Sequence, residues 1–452
     1  MKKLLYVLVL AIGVVVLMTP PAMAQDEKPF TVHGEVRTRG EYVNNTSDFD
    51  DDTDDGGLVW PYRVRLAAEG HFAKNITAWI EFQNAGLFGG DFTPFKDGSG
   101  DNNPTFDQGN QAQLYQGNIT LGELWSKNFS LRLGRQEIVA GTELLLGDLD
   151  FYSGISHDGG VGTWKFNKWN LMAWYTRPTE GTGSNGFSGV LSPDQISLNS
   201  PSDTVHFLGA YANWTVAKNQ GIDVYLMSIA DRSSGANFQT FGGRYSHDVT
   251  GKSGLFWNVE LAIQAGQIES ELFNATADID AGGSVLEGWI GWNFKSGKNN
   301  HRVYARYTSA SGDDDPADDS FDAFVPLFGD FHNRLGHGDF FQVSGTSTAM
   351  GGGAADDLGI NAFALGWTGQ FGDRSELGAE FWSFTTSESD PVTDEDALGT
   401  EIDVFYNYNY SKNMTFSASV SQFSPDDLLT GTGPGTFDDT VTRLYGNARF
   451  RF

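Results

Sequence analysis

The sequence predicts an all-β protein: a single antiparallel transmembrane β-barrel of about 18 strands, with short periplasmic turns and long extracellular loops. Three observations carry this. Segments of alternating polarity recur from residue 31 to residue 452, the links between them mostly alternate between short and long, and the composition suits strands and turns. The chain holds 56 Gly, 34 Phe, 15 Tyr and 12 Trp against only 14 Pro. No stretch beyond the N-terminus approaches the roughly 20 apolar residues of a membrane-spanning helix. A barrel needs no such stretch, because only alternate residues face lipid.

The N-terminus, "MKKLLYVLVLAIGVVVLMTPPAMAQ", has a basic start at Lys2 and Lys3, an apolar core and an Ala-Met-Ala site before Gln25. Residues 1–24 therefore read as a secretory signal peptide, and 25–452 as one outer-membrane β-barrel domain. No Pro/Ser-rich linker divides the remainder. The formal charge is 29 − 58 = −29, which repels nucleic acid and sets that class of partner aside. There is no cysteine, so thiol chemistry, disulfides and thiolate metal sites are excluded.

The strands expected in order are 31–42, 60–72, 76–84, 112–121, 129–138, 160–167, 169–177, 205–215, 221–230, 238–247, 255–266, 286–295, 301–309, 358–371, 375–386, 400–411, 413–423 and 440–452. Within 255–266, Trp257, Val259, Leu261, Ile263 and Ala265 share one face, and Asn258, Glu260 and Gln264 the other. Within 400–411, Ile402, Val404, Tyr406, Tyr408 and Tyr410 oppose Asp403, Asn407 and Asn409. Short links such as "AKN", "NK", "KSGKNN" and "SKN" suit periplasmic turns. Links such as 85–111, 178–204 and 310–357 suit extracellular loops; 231–237 is short for its place. The final "TRLYGNARFRF" aligns Leu444, Gly446, Ala448, Phe450 and Phe452 on one face and resembles the strand read by the barrel-assembly machinery, an expected partner.

The stretches "GEVRTRGEY", "RVRLAAEG", "AWIEFQN", "LRLGRQEIVAGTELLLGDLDFYSGISHDG" and "YTSASGDDDPADDSFDAFVPLFGDFHNRLGHGDFF" resemble the alginate-export family of outer-membrane barrels. The resemblance implies an eighteen-stranded monomeric barrel with a polar, partly arginine-lined lumen. It also implies a loop with spaced His332, Gly336 and Asp339. Unlike the alginate exporter, this chain has no long periplasmic turn, and the substrate does not carry over with the resemblance.

The polar face of 31–42 presents Glu35, Arg37, Arg39 and Glu41 to a water-filled lumen, and the next strand adds Arg63, Arg65, Glu69 and His71. Closure of the barrel brings Arg443, Arg449 and Arg451 alongside. Arg132, Arg302 and Arg306 are inward by parity, whereas Arg135 sits with Leu131 and Leu133. Arginine binds carboxylates in two-pronged fashion and stays charged, so these residues form either an anion path or a ladder of Arg–Glu pairs. The acidic loops "DFDDDTDDGG", "SGDDDPADDSFD" and "SESDPVTDED" lack EF-hand spacing and read as solvated, bridged to lipopolysaccharide through cations.

The 310–357 link is too long to be idle, and its aromatic middle points to a constriction folded over or into the pore. His332, His337, Asp330 and Asp339 make either a metal site or, preferably, a hydrogen-bonded brace. Ser156, His157 and Asp158 are adjacent and cannot converge as a relay, and no GxSxG is present, so no enzyme, cofactor or metal is expected. The expected function is an outer-membrane channel for anionic solutes or an alginate-like polysaccharide. The alternatives are a general diffusion porin or a surface-structural barrel closed by an inserted loop.

Overall fold

The computed structural model describes residues 30–45, 49–52, 56–88, 112–151, 154–178, 205–231, 236–249, 251–268, 279–315, 318–343, 357–430 and 438–452. The expected signal peptide, the links 89–111 and 179–204, and residues 344–356 of the long link lie outside the described residues.

Among the described residues one sheet of 21 strands contains three fragments of two or three residues and eighteen long strands. In chain order the first six long strands are β1 (Phe30–Asn44), β2 (Pro61–Ala73), β3 (Ile76–Leu87), β4 (Gln113–Leu121), β5 (Phe129–Gln136) and β6 (His157–Lys165). Next come β7 (Trp169–Pro178), β8 (Val205–Ala217), β9 (Gln220–Asp231), β10 (Asn237–His247), β11 (Gly254–Ile268) and β12 (Ser284–Ser296). The last six are β13 (Asn299–Ala310), β14 (Ile360–Phe371), β15 (Ser375–Thr385), β16 (Ala397–Asn409), β17 (Met414–Pro425) and β18 (Val441–Arg451). Each pairs antiparallel with its chain neighbour, and β1 pairs with β18 from Glu35↔Arg451 to Asn44↔Thr442. That pairing closes the barrel.

Burial is inverted relative to a soluble protein. On β11, Val259, Leu261 and Ile263 are exposed while Asn258, Glu260 and Gln264 are buried. On β16, Ile402 and Val404 are exposed while Glu401 and Asp403 have no exposed surface. Apolar residues outside and polar residues inside are what a lipid solvent requires, and a closed barrel satisfies every strand edge. The chain is an eighteen-stranded antiparallel barrel of the outer membrane.

Three departures from the expected strands stand out, two of them with local causes. The strand expected from 358 starts at Ile360, because Gly359 takes a left-handed φ of 69° that breaks the extension. The strand expected at 160–167 runs from His157 to Lys165. The fragments Gly57–Val59, Ile279–Ala281 and Ser320–Phe321 were not expected, since so few residues carry no alternation. Ser320–Phe321 pairs parallel with Ile279–Ala281, which itself extends β11 at Gly266↔Ala281.

The apolar core sits inside the barrel, where the described residues of two loops meet: 137–151 and 154–156 of the 137–156 loop after β5, and chiefly 318–343 of the 311–359 loop after β13. Gly147 N–H donates to Phe328 O at 2.7 Å, Phe328 N–H to Leu145 O at 3.0 Å and Asp330 N–H to Glu143 O at 2.9 Å. Around this ladder Phe328 meets Phe207 of β8 at 4.6 Å between ring centroids, Phe340 meets Phe423 of β17 at 5.3 Å, and Phe341 meets Phe384 of β15 at 5.0 Å. Burying such a side chain contributes about 1.5–3 kcal/mol. That matches or exceeds the roughly 1–2 kcal/mol needed to fix one residue's backbone. Burial of these rings therefore favours the docked position of both loops.

Candidate functional site: an arginine wall and two inward loops

The register of three strands builds one wall. Arg63 of β2 lies opposite Arg37 of β1, and Arg37 opposite Arg449 of β18. One step nearer the periplasmic end, Arg65, Glu35 and Arg451 form the next row. Like charges set side by side on one face repel, so this wall needs anions among its guanidinium groups.

Glu35 supplies one. Its Oε1 accepts from Arg63 Nε at 2.9 Å and Nη2 at 2.6 Å, and its Oε2 from Arg449 Nε at 2.7 Å and Arg451 Nε at 3.0 Å. Asp150 of the 137–156 loop supplies the other. Its Oδ1 accepts from Arg63 Nη2 at 2.7 Å and Arg65 Nη1 at 3.1 Å, and its Oδ2 from Arg451 Nη2 at 3.3 Å and from Arg449 Nη2. Its backbone carbonyl accepts from Arg37 Nη1 and Arg63 Nη1, both at 2.6 Å. Burial alone would raise the Asp150 carboxyl, but Arg63, Arg449, Arg65 and Arg37 override it and hold the group well below the usual carboxylate range.

Arg65 is further held by Gln83 at 2.6 Å, by Glu137 at 3.6 Å, and over the Tyr115 ring at 4.0 Å. Arg39 pairs with Glu41, donates to Phe151 O at 2.6 Å and covers the Phe151 ring at 3.9 Å. That ring stacks on His332 at 3.3 Å. His332 Nδ1 bonds Asp339 Oδ2 at 2.7 Å, and the same oxygen is 3.1 Å from Arg443 Nη1. Burial pushes the His332 imidazole below its ordinary range, while His332 and Arg443 hold Asp339 low against its own burial. Gly336 has φ 90°, and a Cβ there would stand 2.5 Å from Glu401 Oε1, so glycine is required.

Arg132, Arg302, Arg306 and Glu69 lie elsewhere on the inner surface, whereas Arg135 keeps the parity of the exposed Leu133 and faces outward. Arg132 of β5 bonds Gln136 and donates to Glu137 O at 2.8 Å. Arg306 of β13 donates to Glu287 at 3.0 Å, between Trp289 and Trp382. Arg302 reaches Asn293 at 3.1 Å and Asp248 at 3.3 Å near the periplasmic turns. Glu69 lies between His33 at 3.5 Å and His71 at 3.7 Å, low on β2. Arg135 pairs with Asp158 at 2.8 Å, while neighbouring His157 is buried between Phe207 and Phe328.

The wall from β9 to β16 is acidic and aromatic. Asp223 accepts from Tyr211 at 2.8 Å and Arg244 Nε at 2.5 Å, and Glu260 from Thr142 at 2.7 Å and Tyr225 at 3.0 Å. Glu287 accepts from Arg334 of the 311–359 loop at 2.7 Å, and Glu401 and Asp403 accept from the N–H groups of Gly338 and His337 at 2.8 and 3.1 Å.

His332, His337, Asp330 and Asp339 do not converge as a ligand set. His332 is bound to Asp339, and the His337 ring stacks on Phe405 at 4.1 Å. Glu143, Asp148 and Asp330 bring one oxygen each within 4.8 Å of one another, a spacing able to hold a hard cation. Burial raises all three, aided by neighbouring carboxylates (Asp148 beside Glu143 and Asp330, and Asp150 beside Asp148), Asp330 to about 7.

Asp150 was missed in the sequence. It follows the "LRLGRQE" strand in a stretch, "IVAGTELLLGDLDF", whose apolar character conceals a loop. An acidic pair inside an apolar link was the available signal.

A closed eighteen-stranded barrel with charged inner walls and two inward loops is an outer-membrane channel protein. Residues 28–442 match the alginate export family, and the chain belongs to it. No curated protein matches the chain by sequence. Several Pseudomonas aeruginosa outer-membrane structures share its fold. OpdK with vanillate is 11% identical over 93% of this chain and 98% of its own, with a TM-score of 0.59. OpdQ is 10% identical over 95% and 99%, with a TM-score of 0.60, and OccK9 (OpdG) 14% over 94% and 98%, with a TM-score of 0.57.

Proposed function

We propose that this channel passes anionic solutes, an acidic polysaccharide or its fragments among them, along the arginine wall of β2, β1 and β18. The observation that supports the reading is the convergence of Arg63, Arg65, Arg449 and Arg451 on a single carboxylate, with Arg37 on the backbone carbonyl of the same residue. Guanidinium groups so arranged recognise carboxylates by shape as well as charge, and in a narrow lumen a row of them sets anion preference. The channel works as a monomer, assembled by the barrel-assembly machinery and bordered by lipopolysaccharide.

A second reading, a structural barrel closed by its own loops, is favoured by how completely Phe328, Phe340 and Phe341 are buried. Single-channel recording in planar bilayers separates the two. Reversal potentials in a KCl gradient that show anion preference, with block by uronic-acid oligomers, support the first reading. Silence under all conditions supports the second. Unselective current without block leaves a general porin.

A further inference from the structure

We infer that the guanidinium cradle around Asp150 is a carboxylate-binding subsite whose resident ligand is the Asp150 side chain, and that a solute carboxylate reaching it from the periplasmic side takes that side chain's place. The inference rests on the anion-channel reading above and adds where the solute binds and what it displaces.

The cradle holds Asp150 as a binding site holds a ligand. Each carboxylate oxygen receives two guanidinium groups from one strand, Arg63 and Arg65 of β2 on Oδ1, and Arg449 and Arg451 of β18 on Oδ2. The main chain is fastened separately, through the carbonyls of Asp150 to Arg37 and Arg63 and of Phe151 to Arg39. The carboxylate can therefore exchange without release of the backbone beside it.

Charge favours a tenant. Arg37, Arg63, Arg65, Arg449 and Arg451 face Glu35, Glu81, Glu137 and Asp150. With Asp148 beside Arg63 and Arg65 counted as well, five cations would face four anions without Asp150, so a vacated cradle attracts an anion. A partner of opposite charge at hydrogen-bond distance favours the ionised form, and the arginines of the cradle act in that sense on an incoming carboxylate against the repulsion of Glu35.

Access has a direction. Side-chain exposure along the cradle rises from 0% at Arg63 through 9% at Arg65 and 22% at Arg449 to 57% at Arg451. Arg451 lies at the end of β18 paired with the start of β1, next to the periplasmic turns. The opposite side is covered by the Phe151–His332 stack and by Arg39. A solute carboxylate from the periplasm meets Arg451, then Arg449, then the oxygens of Asp150. Such a solute carries carboxylates in series, as a chain of sugar acids does, so that one group can enter as the next arrives at Arg451.

The test is bilayer recording of the full chain as wild type, Asp150→Asn and Asp150→Glu, with folding checked by heat-dependent mobility in gels. The probes are a trimer of uronic acid, its neutral sugar counterpart and inorganic phosphate, each added to one side at a time. The expected result is that Asp150→Asn increases anion selectivity and tightens block by the acidic trimer from the periplasmic side several-fold. Asp150→Glu, which keeps the negative charge, should fall between wild type and Asp150→Asn in selectivity and block, and the neutral trimer should have no effect. Phosphate blocking as well as the trimer would overturn the carboxylate assignment, and equal block from both sides would overturn the direction. If wild type is anion-selective and blocked but Asp150→Asn is unchanged, the resident-ligand inference fails alone. If neither protein prefers anions, the channel reading fails with it.

Discussion

Arg443 and Asp339 stand 3.1 Å apart, one on the last strand and one in the loop after β13, and both side chains are almost wholly buried. Arg443 also donates to Gly338 O at 2.5 Å and reaches Glu41 at 3.3 Å, while Asp339 accepts from His332 and from the Asn333 N–H. The pair ties the inserted loop to the seam of the barrel. Its loss leaves a buried cation short of a partner, which is the costly way to break an ion pair.

Asp339→Ala should therefore weaken loop docking by about 3–5 kcal/mol. The measurement is protease sensitivity of residues 318–343 in the folded barrel, with channel conductance alongside. Faster cleavage and larger or noisier current are expected. Unchanged cleavage would mean that the apolar contacts alone retain the loop.

Phe328→Ala tests those contacts. Phe328 has no exposed surface and packs on Phe207 and His157. Truncating a buried Phe costs about 3–5 kcal/mol. Because the barrel's strands do not depend on it, heat-dependent mobility of the barrel should persist while the loop becomes protease-sensitive.

Docking of the two loops should depend on pH through Asp330. Its carboxyl is raised from 3.8 to about 7 when buried beside Glu143 and Asp148. A group whose pKa rises on docking binds its proton more tightly in the docked state. The stabilisation is therefore fully present below the ordinary carboxyl range and is lost as pH climbs towards about 7, with no further change above. Asp150 and Asp339, held low, act in the opposite sense only at more acid pH. Conductance recorded from pH about 5 to about 8 should rise, and Asp330→Asn should flatten the profile. A profile unaffected by that substitution would assign the dependence to other groups.

Leu261 lies outward near the middle of β11 and is half exposed to lipid. Leu261→Arg should destabilise the barrel by about 2–4 kcal/mol in a bilayer. Denaturant titration in lipid vesicles reads this directly, with Val392→Arg, on an exposed loop, as the neutral control.

The strands were legible because lipid on one side and polar groups on the other impose a strict period of two. On β11, Val259 and Leu261 against Asn258 and Glu260 could be read from order alone. The inner wall was legible for the same reason, since parity fixes Arg37 and Arg63 on one side. Parity says nothing about a loop. Asp150 meets Arg63 across 87 residues and Arg449 across 299, and no local pattern encodes contacts that distant. Glu287 with Arg334 was hidden likewise, because the partner on the loop has no strand register to be read from.

Two of the five arginines that hold Asp150 arrive on the strand that seals the barrel. Before β18 zips against β1, the wall offers Asp150 only Arg37, Arg63 and Arg65, and Asp339 lacks Arg443. Capture of the inner loops is thus tied to completion of the seam, so an unsealed barrel keeps its interior loosely held. The order of assembly is written into which strand carries which arginine.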